Sequence, residues 1–335
     1  MKSPLVSIII PNFNKERFVK ETLLSLEAQS YKNFEVIIVD DASTDNSVGI
    51  IQDFIKNDSR FQLIQQPLSR GGSMARNLGF AVAKGEYVIF LDSDDLISPL
   101  CLENRVNEFL RSKSDLLDFI ISPMECFKHR IGDTHEKWLP RSADNHLLDF
   151  LSHHISWQTM QPIWRYSFLE ALRCEGNSGP FDDEYPRLQD VEMHTRALLA
   201  GGKYKILEDA VPDCYYRIDL QRAGASRENQ LSRQIQGFCQ YLTKIGKMVS
   251  SRGRKYKAAL RLTYFEALVT LCYWRNKREV SARFETEKIA DLNMAAMSSS
   301  LLSVYHRLIV RLYVLVLRGR VKGINWLMRK LLTAI

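Results

Sequence analysis

The sequence predicts an α/β fold built on a mostly parallel, Rossmann-like sheet with helices on both faces, followed by a C-terminal helical region. Three observations predict it. Four short runs rich in Val, Ile and Phe punctuate the first hundred residues, at Val6–Pro11, Phe34–Val39, Phe61–Gln65 and Tyr87–Leu91. Stretches with helical spacing lie between them, at Phe18–Gln29, Ser47–Asn57 and Ser73–Ala83. From about Glu228 onward the spacing is helical throughout, over Leu231–Val249, Tyr256–Trp274 and Leu301–Leu332.

Continuous apolar runs of this length suit strands buried on both faces, and their alternation with helices implies right-handed crossovers. The first run, Leu5–Ile10 ahead of Pro11, is too short for a signal-peptide core and reads as a strand. The stretch from about Leu110 to Arg217 is mixed and reads as a second α/β portion containing Trp138, Trp157 and Trp164. The expected organisation is residues 1–110 and 111–227 as two α/β halves, and 228–335 as a helical region ending in a basic tail.

The six cysteines show neither a Cys-x-x-Cys pair nor a regular spacing, so a disulfide framework and a zinc site are not indicated, and a reducing cytosol is the simplest compartment. The net charge of +7 is unevenly placed. No Asp or Glu follows Asp291, while Leu292–Ile335 holds seven of the 46 Lys and Arg, leaving 39 against 39 acids in the body. That asymmetry points to an anionic partner at one end and away from a nucleic-acid-binding body.

In parallel sheets ligands gather at the carboxyl ends of strands. The four loops there are polar: Pro11-Asn12-Phe13-Asn14, Asp40-Asp41-Ala42-Ser43-Thr44-Asp45, Gln66 to Ser73, and Asp92-Ser93-Asp94-Asp95. Asp92 and Asp94 offer hard oxygen ligands suited to Mg²⁺ or Mn²⁺, which would neutralise a diphosphate in a chain with no Walker-type loop. A turn capping a helix over Leu96–Leu102 is the structural alternative. Asp41 could accept from a nucleobase N–H or cap the next helix, and Arg76 could pair with aspartates or with base and phosphate.

Taken together, Val6 to Asn14, Val39 to Asp45, Ala75-Arg76-Asn77-Leu78-Gly79 and Lys84 to Asp95 resemble, in order, the motifs of the family-2 glycosyltransferases. The resemblance covers residues 4–110, and implies that residues 1–110 are the nucleotide-sugar-binding half and 111–227 the acceptor-binding half. It implies the glycosyltransferase-A fold and inverting transfer from a nucleotide-sugar donor, with Mn²⁺ or Mg²⁺ as cofactor. It also implies that Pro11 and Asp41 line the base pocket, that Arg76 lies beside the nucleotide and that Asp92 approaches ribose or diphosphate. Asn12 and Ser93 complete that nucleotide-sugar site, and Asp94 is the metal ligand. Ala42 stands where glycine is usual, and Ser69 where asparagine is usual.

The stretch from Gln189 to Leu198, closed by Gly201-Gly202, reads as a helix with Asp190 at its start. The family has a Glu-Asp pair there, with the Asp as general base; here Gln189 replaces the Glu. By resemblance Asp190 is the catalytic base, with Glu192 and His194 as fallbacks, although N-capping alone would also explain Asp190. Trp157 and Trp164 could stack on a sugar, but burial tendencies favour the core.

At about 100° per residue, Arg307, Arg311, Arg318, Lys322 and Arg329 share one stripe of the tail beside a broad apolar face. This pattern suits a helix lying on an anionic membrane surface better than one spanning it. The function expected is transfer from a uridine diphosphate sugar to a glycan or lipid-linked glycan hydroxyl in bacterial surface-polysaccharide assembly, by a cytoplasmic enzyme peripheral to the inner face of the cell membrane. The alternatives are a silent sugar-nucleotide-binding scaffold and a nucleotidyltransferase.

Overall fold

The computed structural model describes residues 3–112, 117–142, 144–174, 176–218 and 226–301. The amphipathic tail expected over Leu301–Leu332 lies, beyond Leu301, outside the described residues. The chain divides into two compact units, one of Met1–Asp144, Ser156–Asp183 and Leu199–Arg222, the other of Asn145–Ile155, Glu184–Leu198 and Ala223–Ile335. The helical unit thus takes two short segments from the middle of the chain as well as its C-terminal part.

The first unit begins with β1 (Val6–Asn12), α1 (Val19–Glu27), β2 (Phe34–Asp40), α2 (Ser47–Ile55), β3 (Phe61–Gln65), α3 (Gly72–Val82) and β4 (Tyr87–Phe90). These match the runs expected from sequence. Next come β5 (Leu96–Ile97), α4 (Cys101–Arg111), β6 (Phe119–Ile121), β7 (Met124–Phe127) and β8 (Lys137–Trp138). After α5 (His146–Leu151), which belongs to the second unit, follow β9 (Pro162–Arg165) and α6 (Tyr166–Ala171). Helix α7 (Gln189–Leu199) leads to β10 (Tyr204–Ile206) and β11 (Cys214–Arg217). The chain continues into α8 (Arg227–Met248), α9 (Arg254–Asn276) and α10 (Ala282–Ser298) of the second unit.

Seven strands form the main sheet in the order β10-β6-β9-β4-β1-β2-β3, parallel except for β9, which runs against both its neighbours. A smaller sheet has the order β5-β11-β7-β8. The parallel register sets Asn12 beside Asp40, and Asp40 beside Gln65, at one level of the sheet. On the other side of β1, Ile9 pairs with Phe90, so the chain leaving β4 brings Asp92 to the level of Pro11. The carboxyl edge is therefore a row of polar residues above an apolar floor. Helix α3 lies close on that floor at Gly79, where an added Cβ would come 2.5 Å from the Ile9 Cγ2. No larger residue fits without moving the helix.

Residues Leu96–Leu102 are not the single helix that the capping alternative required. Leu96 and Ile97 pair antiparallel with β11, and the helix starts only at Cys101. Pro99 accounts for the break, because the residue before a proline is driven out of the helical region. Ser98 instead donates its amide to the Asp213 carbonyl at 2.8 Å.

Asp213 also closes a buried ion pair. Its two oxygens accept from Arg105 Nε at 2.9 Å and Nη2 at 2.6 Å, while Arg105 Nη1 donates to the Met160 carbonyl at 2.9 Å. The Arg105 side chain is fully buried. Asp213→Ala should therefore lower stability by about 3–5 kcal/mol, because it strands a buried guanidinium. Urea unfolding measures this, and a loss below about 1 kcal/mol would mean the guanidinium finds another partner or water.

Candidate functional site

The site is built from the loops at the carboxyl edge. Asn12 donates through Nδ2 to Asp40 Oδ1 at 2.7 Å and to Ser43 Oγ at 3.3 Å, tying the end of β1 to the loop after β2. Asp40 in turn accepts from the Ser43 amide at 2.9 Å. The turn between them places Ala42 at φ 60°, a left-handed conformation that suits glycine and strains alanine.

Asp41 is buried and holds the loop after β3. Its oxygens accept from Gln66 Nε2 at 2.9 Å, Ser69 Oγ at 2.7 Å, and the amides of Arg70 at 2.7 Å and Gly71 at 2.8 Å. A carboxylate offers about four lone-pair sites, so this loop takes up its whole accepting capacity. Ser69, where the family has asparagine, is one of the four donors.

Beyond β4, Asp92, Asp94 and Asp95 bring carboxylate oxygens within 4.8 Å of one another. Two unit charges 4 Å apart repel by about 4 kcal/mol at an effective dielectric near 20, so the cluster needs counter-charges. Arg76 on α3 pairs with Asp92, and Lys15 pairs with Asp94. Arg217, at the end of β11, donates its amide to Asp95 Oδ1 at 2.8 Å and its Nε to the Asp94 carbonyl at 2.8 Å. Thr22 Oγ1, on α1, reaches the carbonyls of Ser93 at 3.1 Å and Asp95 at 2.8 Å. Burial, and then the charges of Asp94 and Asp92, push the Asp95 carboxyl well above the usual carboxylate range.

Three buried polar atoms on this edge have no protein partner: Asn12 Oδ1, Ser73 Oγ and Arg76 Nε. Each such atom costs about 1–3 kcal/mol unless something satisfies it. Phe13 is nearly half exposed beside them. The structure thus brings Asn12, Asp41, Arg76, Asp92, Ser93 and Asp94 to the one edge expected from sequence, at the level of Pro11. Sequence reasoning missed Lys15, Thr22 and Arg217. Lys15 could have been noticed as a cation in the first strand-end loop, whereas Thr22 and Arg217 carry no local signal.

In the helical unit, Asp190 sits half-buried in the first turn of α7. Glu192 is fully buried, accepting from Arg196 Nε at 2.5 Å and Nη2 at 3.0 Å and pairing with Lys244 Nζ at 2.9 Å. Two cations, Arg196 and Lys244, thus share this one carboxylate. Burial pulls the His194 imidazole down to about 3, so it stays neutral, and its ring lies edge-on to Phe150. Trp157 and Trp164 are fully buried in the first unit around Phe119, as the core reading expected.

The family model for glycosyl transferase family 2 matches residues 7–171. An uncharacterized glycosyltransferase of Haemophilus influenzae is 30% identical over 257 residues, covering 72% of this chain and 76% of that protein. A UDP-Glc:alpha-D-GlcNAc-diphosphoundecaprenol beta-1,3-glucosyltransferase of Escherichia coli is 35% identical over 112 residues, covering 33% of this chain and 44% of that protein. The chain spans less than two thirds of the first curated relatives it matches, from 38% to 62% of their lengths. Staphylococcus aureus TarS 1–349 in complex with UDP-GlcNAc superposes with a TM-score of 0.55 at 19% identity, covering 88% of this chain and 90% of that one. A mannosyltransferase of Pyrobaculum calidifontis in complex with GDP-Man and Mn²⁺ superposes at 0.52 with 19% identity, covering 100% and 86%. At such identities the likeness is one of fold, the glycosyltransferase-A fold.

The strain at Ala42 gives a direct check on the turn that carries Asp41. Ala42→Gly should stabilise the protein by roughly 1 kcal/mol, or about 2–4 °C in Tm, since the left-handed conformation loses its steric cost. Ala42→Val should do the opposite, and thermal melts of both variants decide; a glycine variant that melts lower than wild type would mean the turn is not strained.

Proposed function

Because this chain belongs to glycosyltransferase family 2, we propose that it transfers a sugar from a nucleotide diphosphate donor, a uridine one, to a glycan hydroxyl with inversion at the anomeric carbon. The observation that carries this is the trio of aspartates gathered at the end of β4, beside three buried polar atoms that lack protein partners. A ligand rich in oxygens and N–H groups would satisfy those atoms. UDP-bound TarS and the E. coli glucosyltransferase support the choice of donor class.

The donor set fits a divalent ion: three carboxylates offer hard oxygens within reach of one another, and Asp94 would hold it. The chemistry such an ion would supply when bound, as Mn²⁺ or Mg²⁺, is charge neutralisation for the departing nucleoside diphosphate. Asp92 and Ser93 lie beside ribose or diphosphate, Arg76 orients the nucleotide, and Pro11, Asn12 and the Asp41-held loop wall the base. The exposed ring of Phe13 offers that base a stacking face. Asp190 accepts the proton of the attacking hydroxyl, so that the new bond to the anomeric carbon forms as the diphosphate leaves.

The acceptor we propose is a lipid-linked glycan in bacterial surface-polysaccharide assembly, met by an enzyme peripheral to the cytoplasmic face of the membrane. The charge excess of residues 292–335 supports that placement. Among the described residues, no helix is long and apolar enough to cross a membrane.

Asp94→Ala should abolish transfer, as should EDTA with the wild type, and UDP binding by calorimetry should become insensitive to Mn²⁺ in the variant. Full activity in EDTA would remove the metal from the mechanism. Asp190→Asn keeps the shape of the side chain but cannot take a proton. Its donor affinity should stay near normal while turnover falls by on the order of 10²–10⁴. Unchanged turnover would assign the base to another residue.

A further inference from the structure

The charge balance of residues 1–291 conceals a segregation inside the helical unit. Between Glu228 and Glu266 there is no Asp or Glu but eight Lys and Arg. Five of these, Lys247, Arg252, Arg254, Lys255 and Lys257, fall within eleven residues around the turn that joins α8 to α9. The first four are exposed and Lys257 is half-buried. Among the described residues, Lys247, Arg254, Lys255 and Lys257 have no ion-pair partner. Three of the five lie at the start of α9, whose first turn holds no acid. Cations there oppose the helix macrodipole, so helix stability does not account for them.

Apolar groups share this end of the unit. Met248, next to Lys247, is 41% exposed, and Met297 near the end of α10 is 49% exposed. The end of α10 meets the end of α8 at Gly246, where an added Cβ would lie 2.3 Å from the Ser299 Cβ. From here the chain runs on into residues 302–335, with seven further Lys and Arg and no acid.

We propose that the α8–α9 turn, with Met248 and Met297 beside it, is a docking surface for an anionic lipid bilayer. Cations interleaved with exposed methionines suit an interface that offers phosphate headgroups and hydrocarbon together. A soluble polyanion would use the charges but leave the methionines in water. The proposal deepens the peripheral-membrane reading above, adding a contact on the folded unit to the one expected of the tail.

The test uses full-length protein sedimented with vesicles of phosphatidylcholine alone, or of phosphatidylcholine mixed with phosphatidylglycerol. One variant combines Lys247→Glu, Arg252→Glu, Arg254→Glu and Lys255→Glu; a second combines Arg311→Glu, Arg318→Glu and Lys322→Glu in the tail. Wild type should bind only the anionic vesicles and be released by salt. The turn variant should lose at least about 100-fold in partitioning. Its melting temperature should hold or rise, because acids favour a helix start, and its UDP affinity should be unchanged. If the turn variant binds like wild type while the tail variant is released, the tail is the sole contact and the proposal fails. Wild type that binds neither vesicle overturns the peripheral-membrane reading as well, while retained UDP binding leaves the glycosyltransferase reading standing. Tighter binding to duplex DNA than to anionic vesicles would also overturn it.

Discussion

Three carboxylates crowded at the end of one buried strand repel one another, and much of the first unit's polar architecture answers that repulsion. Adjacency in sequence makes the crowding unavoidable, and the parallel register delivers the other polar strand ends to the same edge. The compensation comes from far along the chain: Lys15 from the loop after β1, Arg76 from α3, and Arg217 from the end of β11. Thr22 fixes the turn through its carbonyls without adding charge. Arg217 also reaches Glu21 at 2.6 Å, so the smaller sheet is anchored to α1 by the same side chain that steadies the aspartates.

The helical unit treats charge in two opposite ways. Glu192 is buried and answered twice, by Arg196 and Lys244, within its own unit. The Lys244 pair ties α7 to α8. At the α8–α9 turn, in contrast, cations accumulate with no acid for many residues on either side. Compensated charge in a core organises a fold, whereas uncompensated charge on a surface looks outward for its partner.

What could be read from the sequence follows from the same distinction between local and distant causes. Strands β1 to β4 are buried runs bounded by turn residues, so their positions were visible to within a residue or two. The aspartates and Asp190 sit at element ends, where polarity interrupts an apolar pattern, and Arg76 follows within the second turn of α3. Lys15 was available to the eye but has no period to mark it. Arg217 and Thr22 act across 123 and 71 residues of chain, and only the folded sheet shows what they touch. Helix α10 falls in the stretch read as helical but without bounds of its own, although Ser281 caps it by accepting from the Phe284 amide at 3.1 Å, because its apolar stripe is weak and its face carries exposed methionines. The short strand β5 was hidden for another reason: two residues pairing with β11 have no periodicity of their own.

The saturation of Asp41 bears on how such a pocket could be redesigned. With four donors from residues 66–71 already on its two oxygens, this carboxylate is a keystone of the loop before it is a recognition group. Exchanging it would release the loop. If, as proposed, that loop walls the base, donor choice is a property of the whole segment, and retargeting it means transplanting residues 66–71 together with position 41.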